Sequence, residues 1–284
     1  MDFHEKIAEK FEDALNSGSL LTYETDERLV KDEIDFIVFV LKKLSARDKK
    51  FWKKGSKPDV PGDPFLPYEN ELFVGDLTKT HICLLNKYNV IKNHILIVTR
   101  AFEDQETPLT EPDFEALFIC MEKFNGLAFY NSGRIAGASQ RHKHMQLIKL
   151  PLTGCMEGIP IFPLISTLDR SAGGILKIPR FEFSHGICFL QENASPGYLF
   201  SKYMGLLEFT GLQPGPSGGW GPYNLLLTRE WMLLIPRVLE SYKGISVNSL
   251  GFAGTLLVKD LHEFARIKRA GLLKILNCVA RHGS

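Results

Sequence analysis

Gly137-Ala-Ser-Gln-Arg-His-Lys-His-Met-Gln146 runs directly into Leu147-Ile-Lys-Leu-Pro151. Its polar–apolar alternation predicts a strand over 141–150. Side chains on a strand point alternately to its two faces. His142, His144 and Gln146 therefore share one face, and Lys143, Met145 and Leu147 the other. Two imidazoles and a carboxamide in a row make a poor hydrophobic face and a good polar site. The Gly-Ala-Ser-Gln loop just before them offers backbone N–H groups, a hydroxyl and an amide. These are the donors that a phosphate needs.

Three chemistries fit the pair of histidines. They are two solvated residues on an exposed strand, or two ligands of a zinc ion, since i and i+2 on a strand converge on one side. The zinc reading needs a third ligand from His81, His94 or His185, and no Cys-x-x-Cys motif supplies one. The third reading is nucleophilic catalysis on a phosphorus atom. Neutral imidazole is a nucleophile at pH 7 and can hold a phosphoryl group as a phosphoramidate, which divides one hard displacement into two easier ones.

The rest of the chain bounds these readings. A length of 284 residues with 44% hydrophobic and 24% charged residues excludes a disordered chain and allows a sizeable core. Lys and Arg number 34 against 33 Asp and Glu, so no global positive charge exists to hold a nucleic acid. No stretch reaches the roughly 20 apolar residues of a membrane span. Met1-Asp-Phe-His-Glu-Lys lacks the basic-then-apolar start of a signal peptide. Cys83, Cys120, Cys155, Cys188 and Cys278 are scattered and odd in number, so a reduced, cytoplasmic protein is expected.

Periodicity predicts helices over 3–16, 111–129, 196–210 and 261–280, with a short one within 248–254. Strands are expected at 36–41, 81–85, 94–99, 141–150, 181–189, 223–227 and 231–235. Residues 42–64 read as a long lysine-rich surface loop, and 151–180 as irregular. Strands and helices mix without regular βαβ alternation. That favours an α+β fold, an antiparallel sheet with flanking helices. Nothing in the composition forces a domain boundary, so residues 1–284 are expected to form one catalytic domain. Its N-terminal part extends to about 158, and a C-terminal part over about 181–281 completes the site.

The motif resembles the His-x-His-x-Gln of the nucleotidyl-transferring branch of the histidine-triad superfamily. Phe129-Tyr-Asn-Ser-Gly133 and the loop before the histidines are more specifically similar to the diadenosine tetraphosphate phosphorylases, also called ATP adenylyltransferases. Further blocks follow in order: Asp63-Pro-Phe-Leu-Pro67, Leu85-Asn-Lys-Tyr-Asn-Val90, His94–Thr99, 223–237 and 247–259. A lone His-x-His is weak; this ordered set is strong. The hexose-1-phosphate uridylyltransferases share the motif but usually carry Pro between the histidines, where this chain has Lys143. A nucleotide-binding regulator with a decayed site is the remaining alternative, against which the intact His142, His144 and Gln146 speak.

The resemblance implies a histidine-triad-like fold and phosphorolysis of diadenosine 5',5'''-tetraphosphate by orthophosphate to ATP and ADP. His144 would be the nucleophile that carries AMP. His142 would orient or polarise the site, and Gln146 would contact a non-bridging oxygen. A glutamine there, where hydrolases of the superfamily place a third histidine, favours transfer to phosphate over transfer to water. Substrate contacts fall on Asn86, Lys87, Asn131, Gly137, Ala138, Ser139 and Gln140. Further contacts fall on Asn248, Ser249, Leu250, Thr255 and Lys259. A family lysine aligns with Arg47, with Lys54 and Lys57 as neighbours of equal charge. Asp63 stands where the family often has Asn, and is expected in a structural turn because a carboxylate would repel a polyphosphate. Partners are small molecules, with no membrane and no nucleic acid. No tightly bound cofactor or protein metal site is expected, with Mg2+ at most accompanying the polyphosphate.

Overall fold

The protein is described by a computed structural model over residues 3–42, 62–123, 125–154, 156, 158–215 and 218–283. Its centre is an eight-stranded sheet in which every pairing is antiparallel. From edge to edge the strands are Gly186–Phe189, Trp231–Pro236, Tyr223–Leu227, Gly126–Asn131, His144–Lys149, Ile95–Thr99, His81–Leu85 and Phe73–Asp76. The strand that starts at His144 is thus interior, paired on both sides. Val98 lies opposite His144, while Leu96 and Phe129 flank Gln146.

Alternation along these strands sorts the core into layers. On one face Met145 and Leu147 join Ile97, Ala128, Tyr130 and Leu225. The helices Glu111–Lys123 and Pro196–Phe209 cover that face with Phe114, Leu117, Tyr203 and Leu206. On the other face Leu127, Phe129, Ile148 and Leu226 pack against Phe36, Val38, Phe252 and Leu276. Beside them lies a smaller cluster of Phe65, Ile82, Leu84, Leu96 and Val98. His144 and Gln146 sit on this second face, as the two-residue period requires. The sheet and its helices are the α+β architecture that the pattern predicts.

A second, three-stranded sheet joins distant parts of the chain. Thr255–Val258 pairs in parallel with Phe36–Leu41, which pairs antiparallel with Thr25–Val30. In the large sheet, Tyr223–Leu227 pairs with Gly126–Asn131. Both sheets therefore take strands from both parts of the chain.

Several boundaries differ from the periodicity. The helix expected over 111–129 ends at Lys123, and Gly126–Asn131 is a fully buried strand. Gly126 permits that pairing: a Cβ there would lie 2.4 Å from the Ile148 carbonyl oxygen, so only glycine admits the close approach. The motif strand begins at His144 rather than 141, because 141–143 bond to the 99–105 segment instead. Lys143 N–H donates to Glu103 O, and Gln105 N–H to Arg141 O. The strand expected over 181–189 shrinks to Gly186–Phe189. The last helix is two, Leu261–Ala270 and Leu272–Val279, broken at Gly271, with Asp32 accepting the Leu272 N–H. No helix among the described residues is long and apolar enough to cross a membrane.

Candidate active site

The motif strand begins at a cleft of about 330 Å³. His144 and Gln146 open onto it from the large sheet, and Phe39, Thr255 and Leu257 from the small one. His144 is 5% exposed and its ring rests on Phe65, centroids 5.4 Å apart. Its Nδ1 lies 2.8 Å from the His142 carbonyl oxygen. A carbonyl only accepts, so Nδ1 carries the proton and Nε2 keeps its lone pair. Burial pushes the imidazole pKa down to about 4, and the neighbouring His142 adds to the shift while the carbonyl bond opposes it. The free base is therefore the form present at neutral pH.

Gln105 braces the same residue. This buried carboxamide accepts the His144 N–H at 2.8 Å and donates to the His144 and Asn131 carbonyls at 3.1 and 3.0 Å. It does the work of a missing strand partner. His142 is 1% exposed. Its Nδ1 lies 2.6 Å from Asp63 Oδ2, and its Nε2 lies 2.8 Å from the Thr99 carbonyl. The ring is held at both nitrogens and cannot turn. Asp63 does occupy a turn, where Oδ1 accepts the Phe65 N–H at 2.9 Å. Its other oxygen gives it a second role, as the orienting partner of His142, which the sequence reading missed. Nothing in its one-dimensional neighbourhood announces a contact across 79 positions.

Beneath the strand, Lys143 is buried at 1% exposure. Its Nζ bonds Asp113 at 2.7 Å, Glu103 at 3.1 Å and the Pro108 carbonyl at 3.1 Å. Burial raises the Asp113 pKa, but the His81 hydrogen bond and the Lys143 charge outweigh it and hold the carboxyl below its usual range. The residue between the two histidines is thus an ionic anchor.

The expected substrate residues divide into three groups. Asn86, Lys87, Asn131 and Gly137 line the cleft, as do Ser139, Gln140, Asn248, Leu250 and Thr255. Their own partners show how they are held. Lys87 pairs with Glu69. Asn131 Oδ1 receives the Ser249 N–H and the Asn224 amide. Gly137 has φ 93°, and a Cβ there would meet Asn248 at 2.8 Å. Ala138, Ser249 and Lys259 are not brought to the cleft wall. Ala138 donates its N–H to the Gly133 carbonyl. Ser249 is fully buried and staples Asn131 from behind. Lys259 lies near Glu263, 3.9 Å between charged atoms. Arg47, Lys54 and Lys57 lie outside the described residues.

The rings proposed for a zinc site are already engaged. His81 bonds Thr80 and Asp113. His185 accepts the Ile178 N–H and donates to the Phe183 carbonyl. His94 lies between Asn86 and Gln146. Among the described residues, no group of three His, Cys, Asp or Glu side chains converges as metal ligands would.

An antiparallel α+β sheet that carries His-x-His-x-Gln to a cleft is the histidine-triad-like class of fold. Comparison narrows it further. Residues 1–167 match the Ap4A phosphorylase N-terminal domain, and residues 179–282 the ATP adenylyltransferase C-terminal domain. The chain belongs to the Ap4A phosphorylase (ATP adenylyltransferase) family. It is 26% identical to Protein APA1 of Saccharomyces cerevisiae, covering 94% of this chain and 89% of the relative. It is 27% identical to diadenosine 5',5'''-P1,P4-tetraphosphate phosphorylase 2 of the same yeast, covering 93% and 89%. The crystal structure of yeast Ap4A phosphorylase Apa2 in complex with AMP superposes with a TM-score of 0.81 at 26% identity, covering 100% of this chain and 99% of that one. The Apa2 complex with Ap4A gives 0.80 at 25% identity, covering 99% and 98%.

Proposed function

We propose that this enzyme is a nucleotidyltransferase that cleaves diadenosine tetraphosphate with orthophosphate into ATP and ADP, reversibly, through AMP held on His144. One observation carries the reading. Nδ1 of His144 is tied back to a carbonyl, so the lone pair on Nε2 belongs to a neutral ring at the cleft. In the first step Nε2 attacks the α-phosphorus. The N–P bond forms, the bond from that phosphorus to the bridging oxygen breaks, and ATP leaves with the electron pair. In the second step an orthophosphate oxygen attacks the same phosphorus. The P–O bond forms, the N–P bond breaks, and ADP leaves with the imidazole again neutral.

The proton on Nδ1 stays in place throughout. The ring gains positive charge as N–P forms, and the His142 carbonyl is placed to stabilise it. Gln146 donates to a non-bridging oxygen, and its amide has no proton to give as an acid. The cleft loop supplies backbone donors at Ser139 and Gln140. Mg2+ accompanying the polyphosphate would screen its charge. We place the reaction in the cytoplasm, a reading supported by free thiols at Cys83, Cys120, Cys188 and Cys278.

Product analysis tests the reaction. Incubation with diadenosine tetraphosphate and phosphate should give ATP and ADP, and quenched enzyme should carry an adenylyl group on His144. His144→Ala should lose the adduct and lower turnover at least about 10⁴-fold. Substantial turnover in that variant, or ATP and AMP as the products, would overturn the reading.

A further inference from the structure

His94 takes no part in the transfer steps. Yet it is buried in the cleft wall, against Phe129 and directly behind Gln146. Its surroundings settle which atoms face which. Asn86 Oδ1 accepts the Tyr88 backbone N–H at 3.3 Å. A backbone N–H can only donate, so the oxygen of that carboxamide is fixed, and its NH2 group is the one 3.0 Å from His94 Nδ1. Nδ1 must then be the bare, accepting nitrogen. The single proton of the neutral ring falls on Nε2. The Gln146 atom 3.0 Å from Nε2 must accept it, so it is the oxygen. The NH2 group of Gln146 is what remains for the cleft.

We propose that His94 is a positioning residue that fixes the polarity of Gln146, relaying the direction of the Tyr88 backbone N–H through Asn86. The inference rests on the adenylyl-transfer reading, because it assigns Gln146 the task of donating to phosphate. A glutamine amide has two nearly isosteric ends. Unrestrained, it would point its oxygen at an anion in part of the population and repel it. With its oxygen occupied by His94 Nε2–H, only the donor end is offered. The relay works with a neutral ring: a second proton on Nδ1 would face the Asn86 NH2 group. Burial holds the His94 pKa down at about 4, against the Gln146 bond that favours the charged form. The relay also gives Asn86 an occupation other than ligand contact, although it lines the cleft.

Two measurements test this. In 15N-histidine-labelled wild-type enzyme without nucleotide, long-range 1H–15N spectra should show His94 protonated at Nε2 and bare at Nδ1. The opposite tautomer, or an exchanging mixture, would overturn the relay whatever the enzyme does. The second is a cycle of His94→Phe and Gln146→Ala, read by ATP and ADP formation. His94→Phe should lower kcat roughly 10- to 100-fold, with KM changing less, as loss of an orienting partner does. In the Gln146→Ala background the same substitution should have no further effect on kcat. Losses that multiply would show that His94 acts otherwise than through Gln146. If His94→Phe does not fold, the wild-type tautomer decides alone. Wild-type enzyme that forms no ATP and ADP would refute the transfer reading, and the spectra would still report on the relay.

Discussion

At His144 the position of the bare ring nitrogen is set by one bond and one environment. The bond to the His142 carbonyl selects the tautomer, and burial keeps the ring uncharged. His94 shares that environment and the same depression to about 4. The pH consequence has a definite sign. Both folded-state values lie below the ordinary imidazole value of about 6.5. Above that pH neither the folded nor the unfolded chain binds protons at these sites, and their contribution to stability is level. Between 6.5 and 4 the unfolded chain takes protons that the folded rings refuse, so stability falls as pH falls. The loss approaches roughly 3 kcal/mol per ring at pH 4. Urea unfolding at steps from pH 7.5 to 4.5 should show it, and His94→Phe should reduce the slope. Single-turnover release of ATP, measured where the protein stays folded, should not show an acid limb near 6.5. An acid limb there would mean that His144 titrates as an ordinary imidazole.

The element that matters most is the strand His144–Lys149, and it is fixed from below as well as from its edges. Lys143 enters a buried pair with Asp113, which His81 also bonds, and reaches the part-exposed Glu103 just before the strand begins. Lys143→Met fills the space but leaves Asp113 without its cation. Breaking a buried pair in this way costs about 3–5 kcal/mol. Denaturant midpoints should fall accordingly, and an unchanged midpoint would show the pair to be dispensable. The strand's neighbour, Gly126–Asn131, depends on a glycine. Gly126→Ala would put a methyl group 2.4 Å from the Ile148 carbonyl oxygen and 2.8 Å from Leu147 Cδ1. The strands must part or bend, at about 1–3 kcal/mol. The affected edge is the one that aligns Gln146, so turnover should fall with stability. Wild-type kcat and stability in this variant would show that the close approach is not needed.

At the scale of the molecule, the eight-stranded and three-stranded sheets each take strands from both parts of the chain. The large sheet needs Tyr223–Leu227 beside Gly126–Asn131, and the small one needs Thr255–Val258 beside Phe36–Leu41. We propose that the two parts fold as one catalytic unit. Expression of residues 1–175 alone should give a chain without cooperative unfolding, because it exposes the edge at Gly126–Asn131 and the apolar face of Phe36 and Val38. A sharp thermal transition from that fragment would refute the proposal. The cleft lies across the same seam: His144 and Gln146 come from one part, and Asn248, Leu250 and Thr255 from the other.

Much of this was legible in one dimension. Apolar period located the long helices and the buried strands at Phe36–Leu41, His81–Leu85 and Tyr223–Leu227, because each sums many similar side chains over several residues. The His-x-His-x-Gln spacing put His144 and Gln146 on one face because strand geometry is local. What stayed hidden were pairings between segments far apart in sequence. Gly126–Asn131 carries helix-compatible residues and became a strand only because the strands on either side gave its backbone partners. Asp63 meets His142 across 79 positions, Gln105 braces His144 across 39, and His94 reaches Gln146 across 52. Sequence by itself determined which side chains could do the chemistry, since that depends on residue type and short-range periodicity. Tertiary structure alone decided their protonation and direction, because burial and hydrogen-bond polarity are set by whichever distant residues the fold brings within 3 Å.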